Sequence, residues 1–340
     1  MDLLGLALTT GIGPKRLKQI LEVSKEPTPE LVENLLGPEL AASYKNTLAG
    51  ELARQEREKA KAHGVRLVGL WEESYPQALK HLDSPPLVLY LKGELPAQER
   101  AVGIVGTRRA SAWARAWTHR VAKELAEAGV AVVSGLARGI DTEAHQGALE
   151  AGGLTLGVLG SGIDQLYPPE NKALAEKMSL ASEFPFGTQP QAELFPRRNR
   201  IIAALSKAVL VVEAGVKSGA LITAKFALEL GREVLAVPGR PTDAFSEGVN
   251  QLIRDGAQMA LSAADVLYAL GMVAPSKEAR TLVGHEALVY RALLELGEAL
   301  PDDLAEASGL GPGEVLSVLS LLEIKGMARA IPGGRYLAGA

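Results

Sequence analysis

An open, doubly wound, mostly parallel α/β sheet flanked by two helical modules is the architecture this sequence predicts. Three observations predict it. Between residues 63 and 271 short apolar runs alternate with longer helical patterns, which marks a parallel sheet covered on both faces. Nearly every central run ends in a turn of small or polar residues, as at the ligand-binding edge of such sheets. The stretches on either side, 1–62 and 284–340, carry helical patterns instead.

The first segment, 1–62, is rich in Leu, Lys and Glu and predicts a helical domain. Its Gly11-Ile-Gly13-Pro-Lys-Arg-Leu-Lys18 resembles a helix-hairpin-helix turn of SAM-like domains, whose backbone amides approach a DNA phosphate. A plain glycine turn before Pro14 at a helix start accounts for the same residues. With nine basic and nine acidic residues across the segment, the plainer account is preferred.

In the second segment strands are expected at 101–105, 130–133, 154–159, 208–212 and 233–237, with flanking strands at 66–70, 87–91 and 257–261. The turns that follow include Gly106-Thr-Arg108, Ser134-Gly-Leu-Ala-Arg-Gly139, Gly160-Ser-Gly162, Glu213-Ala-Gly215 and Pro238-Gly-Arg240. Phe195-Pro-Arg-Arg-Asn-Arg-Ile-Ile-Ala-Ala-Leu205 is the most informative stretch. Arg197, Arg198, Asn199 and Arg200 occupy four consecutive positions and an apolar run follows. The expectation is a cluster of cations where a helix begins, with free N–H groups and guanidiniums forming an anion trap.

The third segment, 284–340, shows three helical patterns and then a hairpin over 331–337, resembling a winged helix. The would-be recognition helix over 313–322 has no Lys or Arg. From Pro275 onward six basic residues face nine acidic ones, too few donors for groove reading. A packing or protein-contact module is expected, joined by a linker over 271–283.

Composition narrows the function. A chain of 340 residues, 47% hydrophobic, buries a large core in two or three domains. It has no cysteine, hence no disulfide, thiolate metal site or cysteine nucleophile. No apolar run reaches the roughly 18 residues of a membrane span, and the start Met-Asp-Leu-Leu-Gly lacks a basic signal region. A cytoplasmic location is expected. A net charge of −4 confines any phosphate site to a local patch.

Catalytic signatures are missing. The chain has no G-x-G-x-x-G, no G-x-x-x-x-G-K-[ST] and no G-x-S-x-G. Asp141 and His145 are one helical turn apart, but hydrogen bonds tying helix to loop explain them without a metal. Asp164 and Glu183 stand near strand ends, either as acids or as partners that orient arginines and cap turns. No catalysis, cofactor or metal is expected. The cations tell more: Arg108, Arg138, Arg197, Arg198, Arg200 and Lys225 follow strand ends or lie on the next helices. Ser111, Ser134, Ser161, Ser218 and Thr223 add hydroxyls. Such a rim suits several phosphates in a row. Phe195 is placed either to stack a base or to pack in the core.

Five motifs then occur in order: Gly106-Thr-Arg-Arg-Ala-Ser111, Val133-Ser-Gly-Leu-Ala-Arg-Gly-Ile-Asp-Thr-Glu-Ala-His145, Val158-Leu-Gly-Ser-Gly-Ile-Asp-Gln-Leu-Tyr-Pro168, Phe195-Pro-Arg-Arg-Asn-Arg-Ile-Ile202 and Ser218-Gly-Ala-Leu-Ile-Thr-Ala224. Together they closely resemble the DprA (Smf) family over about 65–270. The resemblance implies an extended Rossmann-like sheet between a SAM-like or helix-hairpin-helix-like domain and a winged-helix-like one. It also implies a DNA-processing protein of natural transformation that holds incoming single-stranded DNA, dimerises and helps load RecA. By matched position Gly106, Thr107, Arg108, Ser111, Arg138, Arg197, Arg198, Asn199 and Arg200 would meet DNA, and Gly135, Phe195 and Lys225 join them as residues of the same expected rim. Leu252 and Ile253 fall in a stretch resembling the family's dimerising segment. Where the family often has serine, this chain has Ala220. A nucleotide-processing hydrolase of the same superfamily is the alternative, but 213–224 lacks its paired glycines and its acid.

Overall fold

The computed structural model describes residues 3–338 apart from 10, 13, 25–26, 50, 273–281 and 326. Gly13 and most of the expected linker therefore lie outside the described residues. The chain divides into two compact units, Met1–Leu270 and Gly271–Ala340.

In the first unit, helices α1 (Leu3–Leu8), α2 (Pro14–Val23), α3 (Pro29–Leu36), α4 (Pro38–Ala49) and α5 (Glu51–Ala62) precede the sheet. There follow β1 (Arg66–Gly69), α6 (Gln77–Lys80), β2 (Val88–Lys92), β3 (Ala101–Gly106), α7 (Ala112–Glu127), β4 (Ala131–Ser134) and α8 (Ile140–Glu150). Next come β5 (Thr155–Leu159), α9 (Lys172–Ala175), β6 (Ser179–Ser182), α10 (Leu194–Ala204), β7 (Ala208–Val212), α11 (Gly219–Glu229), β8 (Glu233–Ala236), α12 (Glu247–Arg254), β9 (Gln258–Met259) and α13 (Ala263–Ala269).

Among the described residues these strands form one nine-stranded sheet, ordered β1-β2-β6-β5-β4-β3-β7-β8-β9. It is parallel from β6 to β9, and β1 and β2 add an antiparallel edge. The α/β class and mostly parallel sheet are as the sequence predicts. Ala208-Val-Leu-Val-Val212 is fully buried, because helices cover both faces of a central parallel strand. Each such Val or Leu contributes about 1.5–3 kcal/mol by leaving water.

Three details differ from expectation. The strand β6 is not among the expected strands, although Glu183 stands near its end, because Ser-Leu-Ala-Ser is too polar to stand out as an apolar run. The expected strand at 257–261 shrinks to two residues at the sheet edge. The segment 1–62, expected as a domain of its own, falls in the first unit, where Leu3, Leu6, Ile20 and Tyr44 join the core cluster of the sheet. Buried Glu56 on α5 ties them further by accepting the Phe186 N–H at 2.7 Å.

Chain order explains where a site forms. From β3 the chain steps outward through β4, β5 and β6; α10 then carries it back to β7 on the other side of β3. The direction of winding reverses between β3 and β7. Loops leaving the carboxyl ends of such neighbours diverge and leave a crevice.

The second unit contains α14 (His285–Leu296), β10 (Glu298–Ala299), α15 (Pro301–Ser308), α16 (Pro312–Ile324), β11 (Ala328–Ile331) and β12 (Arg335–Ala338). The strands pair in the order β10-β12-β11. Val289, Leu293, Leu304, Val315, Leu319 and Leu322 form its own core. On α16, Leu316, Leu321 and Ile324 remain exposed.

Candidate nucleic-acid interface

A cleft of about 890 Å³ opens at the predicted crevice. Most of its walls come from four places: the loop Gly106-Thr-Arg-Arg109 after β3, the face of α10, the loop Gly215-Val-Lys-Ser-Gly219 before α11, and Ala244–Phe245 beyond β8.

Close backbone approaches shape the first loop. A Cβ on Gly106 would meet the Ile140 side chain at 2.5 Å, so only glycine lets α8 pack there. The Thr107 N–H donates to the Glu213 carbonyl at 2.9 Å, and the Glu213 carboxylate accepts the Ser111 N–H at 2.7 Å. Glu213 does this from a left-handed backbone, φ +50°. A non-glycine residue held there costs on the order of 1–3 kcal/mol, and its two bonds across β3 and β7 hold it. Ser111 caps α7 by accepting from the Ala114 N–H at 3.1 Å.

Arg108 is exposed, and its guanidinium lies 4.9 Å from the Phe195 ring centroid. Phe195 is half-buried and also 6.0 Å from the Tyr167 ring. Arg109 is exposed on the other side of the loop, 5.8 Å from the Phe245 ring. Among the described residues neither guanidinium has a hydrogen bond or ion pair to the protein, so their donors face solvent. Lys217 is a third exposed cation on the lining. The acids of the lining are buried Asp141 and exposed Glu247.

The arginines of α10 correct the expectation drawn from the sequence. The helix begins at Leu194, so Arg197, Arg198 and Arg200 lie beyond its opening residues, and they divide in role. Arg198 is only 4% exposed. It donates to the carbonyls of Gly135 at 2.6 Å and Val158, and to Asn199 Oδ1 at 3.0 Å. Its Nη1 donors are thereby spent on the ends of β4 and β5. Burial pulls its pKa down to about 10, against the attraction of Asp141. Asp141 is raised by its own burial, opposed first by Arg198, and accepts the Gly135 and Ala137 N–H groups at 3.1 and 3.3 Å.

Arg200, 8% exposed, pairs with Glu183 at 2.6 Å, and Arg197 reaches the same oxygen at 3.1 Å. Glu183 thus orients arginines. Asp164 caps a turn by accepting the Gly187 N–H at 2.9 Å. Asn199 donates to the Gly219 carbonyl at 3.2 Å, tying α10 to the start of α11. Gly135 faces the Arg198 guanidinium where a Cβ would collide with it.

The remaining expected residues separate. Arg138 lines a small hollow beside the cleft, next to Arg108 and Phe195, and pairs with Glu170. Lys225 is not on the cleft: it is 77% exposed on α11 and faces Glu229 at 3.8 Å. His145 contacts Thr155 Oγ1 at 2.7 Å instead of joining Asp141. Leu252 and Ile253 are half-buried against the core on α12. Arg109, Lys217 and Phe245 were missed by sequence reasoning. Arg109 sits inside a quoted motif, so its signal was present; Phe245 has no local signature.

Comparisons with known proteins follow the same outline. A family profile described as DNA recombination-mediator protein A matches residues 66–271, and one described as the DprA winged helix domain matches 275–334. The chain is 37% identical to Protein Smf of Synechocystis over 310 residues, covering 78% of each chain. It is 41% identical to the DNA processing protein DprA of Bacillus subtilis over 238 residues, 68% of this chain and 80% of that one. Among solved structures, DNA processing protein A from Streptococcus pneumoniae aligns with a TM-score of 0.69 and 33% identity, covering 78% of this chain and 96% of that one. The Helicobacter pylori DNA processing protein A, solved for its single-stranded DNA binding mode, aligns with a TM-score of 0.54 and 30% identity, over 61% and 95%.

Proposed function

We propose a function from one premise, that this chain belongs to the DNA recombination-mediator protein A family: it grips single-stranded DNA by its phosphates and passes the strand to recombination. The observation that carries this reading is the pair Arg108 and Arg109, whose unsatisfied guanidiniums flank a cleft of about 890 Å³ at the sheet's switch point. Arginine forks match phosphate oxygens, and the lining offers no residues arranged for bond cleavage. Gly106, Thr107 and Ser111 shape the loop, while Arg138 and Arg197 extend the positive rim. Arg198, Asn199 and Arg200 act from beneath by holding the loops in register. On this reading the chain is a DNA-holding protein and not an enzyme.

Two finer roles rest on the family resemblance. The protein protects incoming DNA in natural transformation and helps load RecA onto it. It works as a homodimer, with Leu252 and Ile253 beside the open edge strand β9, where Met259 is 48% exposed. Among the described residues no helix is long and apolar enough to cross a membrane.

Filter binding of oligothymidine across a salt series tests the grip. Affinity is expected without nucleotide or metal, falling with a log–log slope of about −0.7 per phosphate neutralised. A flat salt response or a strict need for ATP sinks it. RecA filament formation on single-stranded DNA, with and without the protein, reads the loading step. Sedimentation over a concentration series reads the dimer.

A further inference from the structure

The cleft has an aromatic lip on each side, Phe195 with Tyr167 on one and Phe245 on the other, and only Phe195 was expected. Phe195 rests against Gly160 at the end of β5. Phe245 follows Ala244, whose carbonyl lies against Gly215 at the end of β7. Between β5 and β7 stand β4 and β3, so the two anchoring strands are about three strand spacings apart, roughly 14 Å across the sheet. The loop after β3 stands between them and sends Arg108 to one ring and Arg109 to the other. A guanidinium beside a ring sets phosphate donors next to an aromatic surface. That pairing suits a base and its neighbouring phosphate together.

We propose that Phe245 with Arg109 forms a second base-stacking platform, so that a single strand crosses the cleft from Phe195 to Phe245 along the sheet edge. This rests on the reading that the cleft holds single-stranded DNA, and it adds a path and a second seat. The platform is built in advance. Phe245 is 38% exposed, and its N–H is held by Asp243 Oδ1 at 2.9 Å. The same loop is fastened by Asn250, which donates to the Gly239 carbonyl at 3.0 Å and accepts the Gly239 N–H at 3.1 Å. Arg109 donates from its backbone N–H to Thr107 Oγ1 at 3.2 Å, which leaves the guanidinium for phosphate. Aromatics are only 4% of the chain, so a second phenylalanine on this cleft, and an exposed one, is not the background composition. Stacking on any base fits a grip indifferent to sequence.

The test compares oligothymidine with an abasic oligomer of equal length, for the wild-type protein, Phe245→Ala, Phe245→Trp and Arg109→Gln. Phe245→Ala is expected to weaken oligothymidine binding about tenfold and abasic binding less than about twofold, within the range of one stacked base. Phe245→Trp is expected to restore it. Arg109→Gln should weaken both oligomers and flatten the salt slope by about 0.7. Equal losses on both oligomers for Phe245→Ala, or no loss on either, overturn the platform while leaving the phosphate grip intact. Failure of the wild-type protein to bind oligothymidine at low salt strikes the underlying reading instead.

Discussion

Arg198 Nη1 donates to the Gly135 carbonyl at 2.6 Å across the floor of the cleft, from a side chain that is almost wholly buried. Arg198, one of several cations expected to meet DNA, spends these donors as a strut. It joins the ends of β4 and β5 to α10, near buried Asp141, while the guanidiniums of Arg108 and Arg109 make no hydrogen bond or ion pair among the described residues.

Substituting Arg198 therefore tests stability before binding. Arg198→Met leaves the Gly135 and Val158 carbonyls and the Asn199 side-chain oxygen without this donor. Each buried acceptor left unsatisfied costs about 1–3 kcal/mol, read by urea unfolding. A variant as stable as the wild type that has simply lost DNA affinity would show that Arg198 is a direct contact.

Arg108 and Lys225 form a contrast. Arg108→Ala is expected to weaken binding of oligothymidine, oligoadenine and oligocytosine by a common factor and to flatten the salt slope by about 0.7. Lys225→Ala, remote from the cleft, is expected to change affinity by less than about twofold. A changed base preference for Arg108→Ala, or a loss at Lys225 matching it, refutes this division.

His145 predicts a pH effect on stability. It is fully buried, and burial together with nearby Arg198 pulls its pKa down to about 3. The unfolded chain takes up a proton near pH 6.5 that the folded one refuses. Its contribution is complete above pH 6.5 and is lost as pH falls toward 3, at up to about 1.4 kcal/mol per pH unit. Asp141 has the opposite sense: raised by burial, its contribution is present in acid and is lost as pH rises through its folded pKa. Comparison with His145→Gln isolates the imidazole. Between pH 7 and 5 the wild type is expected to lose about 2 kcal/mol more than the variant in urea unfolding. Parallel pH curves would refute the assignment.

The sequence by itself determined most of the central strands, the turns at their ends and the gathering of cations beside those turns. Apolar runs such as Ala208-Val-Leu-Val-Val212 and glycines such as Gly106 and Gly139 are local signals, because strand burial and tight turns restrict the residue at its own position. The tertiary structure alone decided which cations are free. Whether Arg198 faces water or the ends of β4 and β5 depends on which side of α10 packs inward, and that follows from the return of the chain from β6 to β7. The pairing of Arg109 with Phe245, 136 positions apart, was equally hidden: it exists because β3, β7 and β8 are neighbours in the sheet. Residue type and spacing report the chemistry on offer, while long-range packing decides which donors are consumed in holding the fold and which are left to hold a ligand.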